Sequence, residues 1–347
     1  MKKITLLLHK ITHWEYWPFE IVYVPMYVVW FYYSLRARSF FFFNASNPSI
    51  RNGGFLMESK KEIYDLIPPQ YYPKTMLVKS DNTFETIKQH CIREELHYPL
   101  IAKPDIGMRG MAVQKLESDA DLEAYVRKAN FNFLIQDFVD LPNEVGIFYV
   151  RDPHYNKGKI TGIVAKEYLI VTGDGKSSLK ELVERNPRHH FQLKALFKIY
   201  GPKLMDIPAR GEMVNLVPYG NHARGSKFMN VSKLATDKLT DTINSLCTQV
   251  PHFYYGRLDI KYNTLAELEA GQNISVIELN GAGSEPTHIY DPGQSILTAW
   301  KEISRHFEML FRISMINHKK GFPFLTLREG LEMFRQNKHH VRKLENF

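Results

Sequence analysis

Two apolar runs in the C-terminal third constrain this chain more than any other feature. Tyr255-Gly256-Arg257-Leu258-Asp259-Ile260 and Val276-Ile277-Glu278-Leu279-Asn280-Gly281 each read as a strand that carries polar groups at fixed points. The segment between them, Lys261 to Ser275, is polar and holds Asn263, Gly271, Gln272 and Asn273, which predicts a hairpin connection. Glu278 and Asn280 alternate with Leu279 and so share one face of their strand. If the two strands pair, Asp259 meets them at one point. Three oxygen ligands on a rigid sheet suit Mg²⁺ when water and phosphate complete its shell. The competing reading is a hairpin whose charged residues face solvent.

With 347 residues, 44% of them apolar and 24% charged, the chain can hold more than one lobe around a sizeable core. The net charge of +8 fits polyanionic ligands or an anionic membrane surface. Nucleic-acid binding has only that charge behind it, with no motif or basic stripe, and is not expected. The two cysteines, Cys91 and Cys247, have no metal-type spacing and are compatible with a reducing, cytoplasmic compartment.

The N-terminal segment is rich in aromatics. Residues 1–8 have too short an apolar run and no cleavage site for a signal peptide. Trp14 to Phe43 includes Trp14, Trp17 and Trp30, and Ile21 to Leu35 is uncharged. That run is short for a membrane span, and Pro25 is expected to interrupt it. Arg36, Arg38 and Phe40 to Phe43 follow. Two readings stay open: peripheral contact with the inner leaflet of a membrane or with a lipid-like substrate, and an aromatic helix packed against the chain's own core or a homodimer partner.

Tyr98 to Pro104 reads as a strand ending in Lys103, and Asp105-Ile106-Gly107-Met108-Arg109-Gly110 follows as a loop. A strand lysine beside a glycine-containing loop suits nucleotide phosphates: the ammonium neutralises them and small residues let backbone N–H groups close over them. No Walker string occurs. Asp81 to Glu95 reads as a helix with Asp81 as its N-cap, Phe133 to Val139 as a strand, and Lys159 to Val171 as another. Thr172-Gly173-Asp174-Gly175 reads as a structural turn into a helix capped by Ser177 or Ser178. Ser295 to Met315 reads as a helix, and the basic run Lys338 to Lys343 as a surface tail or a contact for anionic lipid.

The string G-R-x-D-x … E-x-N-x-x-G resembles the metal-binding end of ATP-grasp carboxylate–amine ligases, such as D-alanine–D-alanine ligases and cyanophycin synthetase. The resemblance runs from about Lys60 to Pro292. It implies an α/β (α+β) ATP-grasp fold that holds its nucleotide between two antiparallel-sheet lobes, with the aromatic-rich segment added at the N-terminus. The expected divisions are 1–57 for that segment, 58–140 for the small lobe, 141–320 for the large lobe with the metal site, and 321–347 for a basic C-terminal helix or tail.

The resemblance also implies roles. Asp259, Glu278 and Asn280 hold Mg²⁺ or Mn²⁺ against ATP, and Arg257 stabilises the transferred phosphoryl group. Lys60, with Lys61 as its rival, Lys103 and Lys166 reach the phosphates. The backbone of Gln136, Asp137, Phe138 and Val139 meets the adenine edge, and Glu144 the ribose, with Asp137 and Asp140 as competitors. His222 and Arg224, in an Asn- and Gly-containing loop, bind a carboxylate or the departing phosphate, or His222 takes a proton. D-alanine ligases usually read N-x-x-P-G after the metal strand, whereas this chain reads Asn280-Gly281-Ala282-Gly283-Ser284-Glu285-Pro286. Glu285 and His288 thereby become candidate substrate contacts. The implied reaction joins a small or lipid-like carboxylate to an amine through an acyl phosphate. The rival readings are a phosphotransferase on the same fold and a membrane-associated nucleotide-binding scaffold.

Overall fold

A computed structural model describes residues 11–108, 110–167, 169–216 and 227–347. Two antiparallel sheets dominate it. The first comprises β1 (Thr75–Val78), β2 (Leu100–Pro104), β3 (Gln114–Leu116) and β4 (Phe133–Asp137), in the order β1-β4-β2-β3. The second comprises β5 (Asn143–Val150), β6 (Lys159–Glu167), β9 (Lys227–Asn230), β10 (Tyr255–Tyr262) and β11 (Ile274–Asn280), in the order β11-β10-β5-β6-β9. A small ribbon, β7 (Ile170–Thr172) with β8 (Met213–Asn215), stands apart. The long strand expected at Lys159 to Val171 is therefore two strands in different sheets. Residues 138–142 link the two main sheets directly, because β4 ends at Asp137 and β5 begins at Asn143.

Each sheet buries the apolar residues that its alternation predicts. The first packs Leu100, Ala102, Leu116, Phe133 and Ile135 against two amphipathic helices, Phe84–Arg93 and Asp119–Lys128. The cap of the earlier one is Thr83, whose side chain accepts from Thr86 N–H, rather than Asp81. One face of the second sheet carries Val145, Ile147, Leu258, Ile260 and Leu279 against the helix Asp237–Gln249. The connection between β10 and β11 is more than a turn: it contains a short helix, Leu265–Ala270, held by a Thr264/Glu267 capping box.

The other face of the second sheet is covered over half its length. There Phe148, Val150 and Tyr255 lie under Phe41, Phe42, Phe43 and Phe311. That cover is built by the turn Phe42–Ser46, which follows α1 (Phe19–Ala37), and by α2 (Ile296–Lys319). Pro25 does not interrupt α1, contrary to expectation. It sits in the first half of the helix and costs it one hydrogen bond to the Ile21 carbonyl, while the inner face still packs on α2 through Val22, Tyr23 and Met26. Trp300 Nε1 donates to the Val22 carbonyl at 2.8 Å and Trp14 Nε1 to the Gln294 carbonyl at 2.8 Å. Among the described residues no helix is long and apolar enough to cross a membrane.

The turn-rich stretch after α1 is tied to the sheet by one buried side chain. Asn47 Nδ2 donates to the Gly53 and Tyr255 carbonyls, and its Oδ1 accepts from the N–H groups of Tyr254 and Tyr255. Gly54, at φ +74°, lets this loop lie against the chain leaving β11: a Cβ there would stand 2.7 Å from Gly281 Cα.

The C-terminal helix α3 (Leu327–Glu345) is no free tail. Leu344 is buried in the core of the first sheet, and the Phe347 ring lies 4.8 Å from Tyr125 and 5.5 Å from Phe131. Apolar residues just after the basic run carry the chain back into that core.

Candidate active site

The uncovered half of the second sheet collects the polar residues. Asp259 pairs with Glu278 on one side and with Gly146 on the other, while Arg257 pairs with Asn280 and Phe148. Cross-strand partners point the same way, so Arg257, Asp259, Glu278 and Asn280 share a face with Glu144 and Lys166. Gly146 lies at its centre. A Cβ there would stand 3.0 Å from Asp259 Oδ1, 3.2 Å from Arg257 Cδ and 2.9 Å from Val164 Cγ1, so only glycine leaves room for the Arg257–Asp259 pair as it stands.

Asp259 is buried between two cations. Arg257 Nε donates to its Oδ1 at 2.9 Å, and Lys166 Nζ lies 3.3 Å from its Oδ2. Burial pushes the Asp259 carboxyl up, but the charges of Arg257 and Lys166 outweigh it and hold the group below the usual carboxylate range. Lys166 also donates to Glu144. Burial acts to lower the Lys166 ammonium, and Asp259 with Glu144 reverses this, so it titrates above its ordinary value.

Lys103 reaches this face from the first sheet. Its Nζ donates to Tyr64 Oη and Gln136 Oε1, both at 2.8 Å, and to the Ile277 carbonyl at 3.2 Å. That carbonyl is available because β11 bulges at this point: pairing jumps from Asp259–Glu278 to Ile260–Val276 and leaves Ile277 unpaired. Desolvation lowers the Lys103 ammonium to about 8 despite the opposing charge of Glu278. Lys60 stands 3.7 Å from Glu278 Oε1 and donates to the Gly107 carbonyl at 2.7 Å. Lys61 turns away to Asp65.

The structure thus brings together Lys60, Lys103, Lys166, Arg257, Asp259, Glu278 and Asn280. Glu144 is engaged with Lys166 on the sheet face. Gln136 points its amide inward to Lys103 and donates to Thr75 Oγ1 at 2.6 Å, and Asp137 N–H donates to the Lys74 carbonyl. Burial raises the Asp137 carboxyl. Phe138 and Val139 lie on the link between the sheets, where Lys115 Nζ sits 4.4 Å and Lys261 Nζ 5.8 Å from the Phe138 ring centre. His222 and Arg224 lie outside the described residues. Asp174 forms the turn expected of it, accepting from the N–H groups of Lys176 and Ser177.

Two residues that sequence reasoning passed over belong here. Tyr64 links Lys103 to the bulge, donating to the Ile277 carbonyl. Lys261 follows Asp259 on the same face and bonds the Leu141 carbonyl in the link at 3.1 Å. Its place in the strand alternation was the available signal. Tyr64 had none.

Among the described residues no group of three or more His, Cys, Asp or Glu side chains is arranged to hold a metal ion. The expected ligand set, Asp259, Glu278 and Asn280, is two carboxylates and an amide, and both Asp259 oxygens are already engaged by cations. Asn280 Nδ2 and Ser284 Oγ are buried without hydrogen-bond partners. A bound group that supplies those partners, with the amide of Asn280 turned to present its oxygen, fits a metal and phosphate site here.

No protein-family model and no curated protein matches the sequence. Solved structures do. A bifunctional glutathione synthetase from Pasteurella multocida aligns with 75% of this chain and 38% of its own, at 16% identity and a TM-score of 0.37. The D-alanine–D-alanine ligase of Bacillus anthracis aligns with 76% and 69%, at 10% identity and 0.42. The ATP-grasp ligase PsnB, solved with a minimal precursor, aligns with 73% and 59%, at 15% identity and 0.38. The chain therefore spans less than two thirds of the length of two of these three proteins, and the alignments cover 73–76% of its own length.

Proposed function

We propose that this chain is an ATP-dependent carboxylate–amine ligase, forming an amide and releasing ADP and phosphate. One observation carries the reading: Lys103 from the first sheet is bonded to the bulge of the strand that presents Glu278 and Asn280, so cations and oxygen ligands meet where the two sheets face each other. Glu278, Asn280 and Asp259 are the residues that would hold Mg²⁺ or Mn²⁺, which neutralises the phosphates of bound ATP. Lys60 and Lys103 would neutralise charge on the phosphates. Lys166 and Arg257 are placed to offset charge that spreads during phosphoryl transfer.

In the reaction a substrate carboxylate oxygen bonds to the γ-phosphorus as the bond to ADP breaks. The amine nitrogen then bonds to the acyl carbon, phosphate leaves with the former carboxylate oxygen, and the nitrogen loses a proton. Closure of the site would have to exclude water that would otherwise hydrolyse the mixed anhydride.

The test is ADP release by purified protein with Mg-ATP, challenged separately with aqueous and lipid extracts of the source cells. Amide product by mass spectrometry, and its loss in Glu278→Gln with an unchanged melting temperature, is the expected result. ADP with a phosphorylated product and no amine requirement would replace the ligase reading with phosphotransfer. Nucleotide binding without turnover would replace it with a scaffold.

A further inference from the structure

The outer side of α1 is an apolar surface that the chain itself leaves uncovered. Ile21, Val24, Val28, Phe31 and Leu35 recur at helical spacing and form one stripe, with exposures of 53%, 58%, 72%, 50% and 60%. Tyr27 and Tyr32 flank it, and Phe40 extends it by packing 6.1 Å from Phe31. Eight large side chains, each about half exposed, put on the order of 800 Å² of apolar surface in water, above the few hundred Å² that a monomer ordinarily shows.

Charge distinguishes the occupants. No acidic residue lies between Ile21 and Met57, whereas Arg36, Arg38 and Arg51 do. Glu20 is exposed in the first turn of α1, and Glu15, ahead of the helix, is buried. The uncharged stripe thus runs from the single carboxylate of Glu20 to a basic end at Arg36 and Arg38. Two copies pairing through it in parallel bring these arginines together, and an antiparallel pair sets Arg36 and Arg38 against the one carboxylate of Glu20. An anionic lipid surface neutralises the whole basic end and accepts the stripe. Arg36 supports this arrangement at the rim: its guanidinium lies 5.6 Å from the Tyr32 ring centre and 5.1 Å from that of Phe311. Tyrosine and arginine beside an apolar face are the side chains that settle at a bilayer interface.

We propose that the outer face of α1 lies in the interface of an anionic phospholipid bilayer, parallel to the membrane plane. The inference stands on the helix and its charges and does not depend on the ligase reading. The test is flotation of the full chain with vesicles of phosphatidylcholine, with and without phosphatidylglycerol. Flotation with the anionic vesicles, reduced by about tenfold or more in Val28→Glu and weakened by salt and by Arg36→Glu/Arg38→Glu, is the expected result. Val28 and Leu35 point into solvent, so Val28→Glu and Leu35→Glu should keep the wild-type melting temperature. Absence of flotation by the wild-type chain overturns the proposal. So does a wild-type dimer in light scattering that Val28→Glu turns into a monomer, which would assign the face to a second copy.

Discussion

Tyr23, on the inner side of α1, donates a 2.6 Å hydrogen bond to Oε1 of Glu285, 262 residues along the chain. Tyr290 donates to the same oxygen at 2.9 Å, and the Glu285 carbonyl lies 3.3 Å from Arg257 Nη1. Burial, then the charge of Glu285, raises the Tyr23 hydroxyl well above its ordinary value, so it remains a donor. The aromatic segment is thereby joined to the loop that departs from the ligase pattern. Tyr23→Phe should leave nucleotide affinity unchanged and raise KM for the second substrate about three- to tenfold, since one charge-assisted hydrogen bond is removed while Tyr290 remains. Steady-state kinetics with each substrate varied in turn measures the split. An equal loss of ATP affinity would detach Glu285 from that role.

Lys103 predicts a pH dependence. The charged ammonium is the form that attracts phosphate, and burial lowers its titration to about 8 in the ligand-free protein. Nucleotide affinity should therefore be full below that pH and fall as pH rises through it. Calorimetric titration with Mg-ATP at a series of pH values should show this fall in the wild type. In Lys103→Ala affinity should be about tenfold lower at neutral pH and flat across the same window. A wild-type profile without the fall would mean that another group carries the phosphate charge.

Gly146→Ala tests the packing beneath the site. Its Cβ would crowd Asp259, Arg257 and Val164 at once, in a strand that cannot shift without breaking pairing on both sides. A loss of about 1–3 kcal/mol in stability is expected from such overpacking. ADP release should fall further than stability accounts for, because Asp259 loses its position. Denaturant melts and turnover on the same samples separate the two effects.

A second cluster, outside the site, sets acid stability. His306 is buried with Nδ1 3.0 Å from the Glu302 carbonyl and Nε2 3.0 Å from Thr161 Oγ1, and His288 and Arg305 also face Glu302. Desolvation, with help from the charges of Arg305 and His288, lowers His306 to about 4 from its ordinary 6.5, although Glu302 pulls the other way. Between those values the unfolded chain binds a proton that the folded chain does not. This contribution is therefore full above 6.5 and lost as pH falls towards 4, by about 3 kcal/mol at most. His306→Gln should flatten the dependence of melting temperature on pH across that window. Glu302, held at about 2, adds its own loss only at lower pH. An unchanged slope in the variant would place the acid sensitivity elsewhere.

Strands, helices and the polar face of β10 and β11 could be read from spacing because alternation in a strand and periodicity in a helix are local properties. Glu278 and Asn280 share a face by alternation alone, and Lys103 stands out as a charge in an apolar strand. Thr83 replacing Asp81 as a cap, and the helix inserted between β10 and β11, depend on side-chain geometry that single positions do not display. Gln136 acts on Lys103 because β4 pairs with β2 within the first sheet, and Tyr64 because its short helix lies between Lys103 and the bulge of β11.

By itself the sequence determined which residues can pair, which face each strand buries, and how charge is distributed along α1, since these follow from residue type and order. Only the tertiary structure decided that α1 buries one side on α2 and exposes the other, that Pro25 is tolerated within it, and that Leu344 returns to the first sheet. It alone also decided that Asp259 is held by two cations. The reason is that burial and ion pairing depend on which distant elements meet, and those contacts form only when both sheets have found their partners.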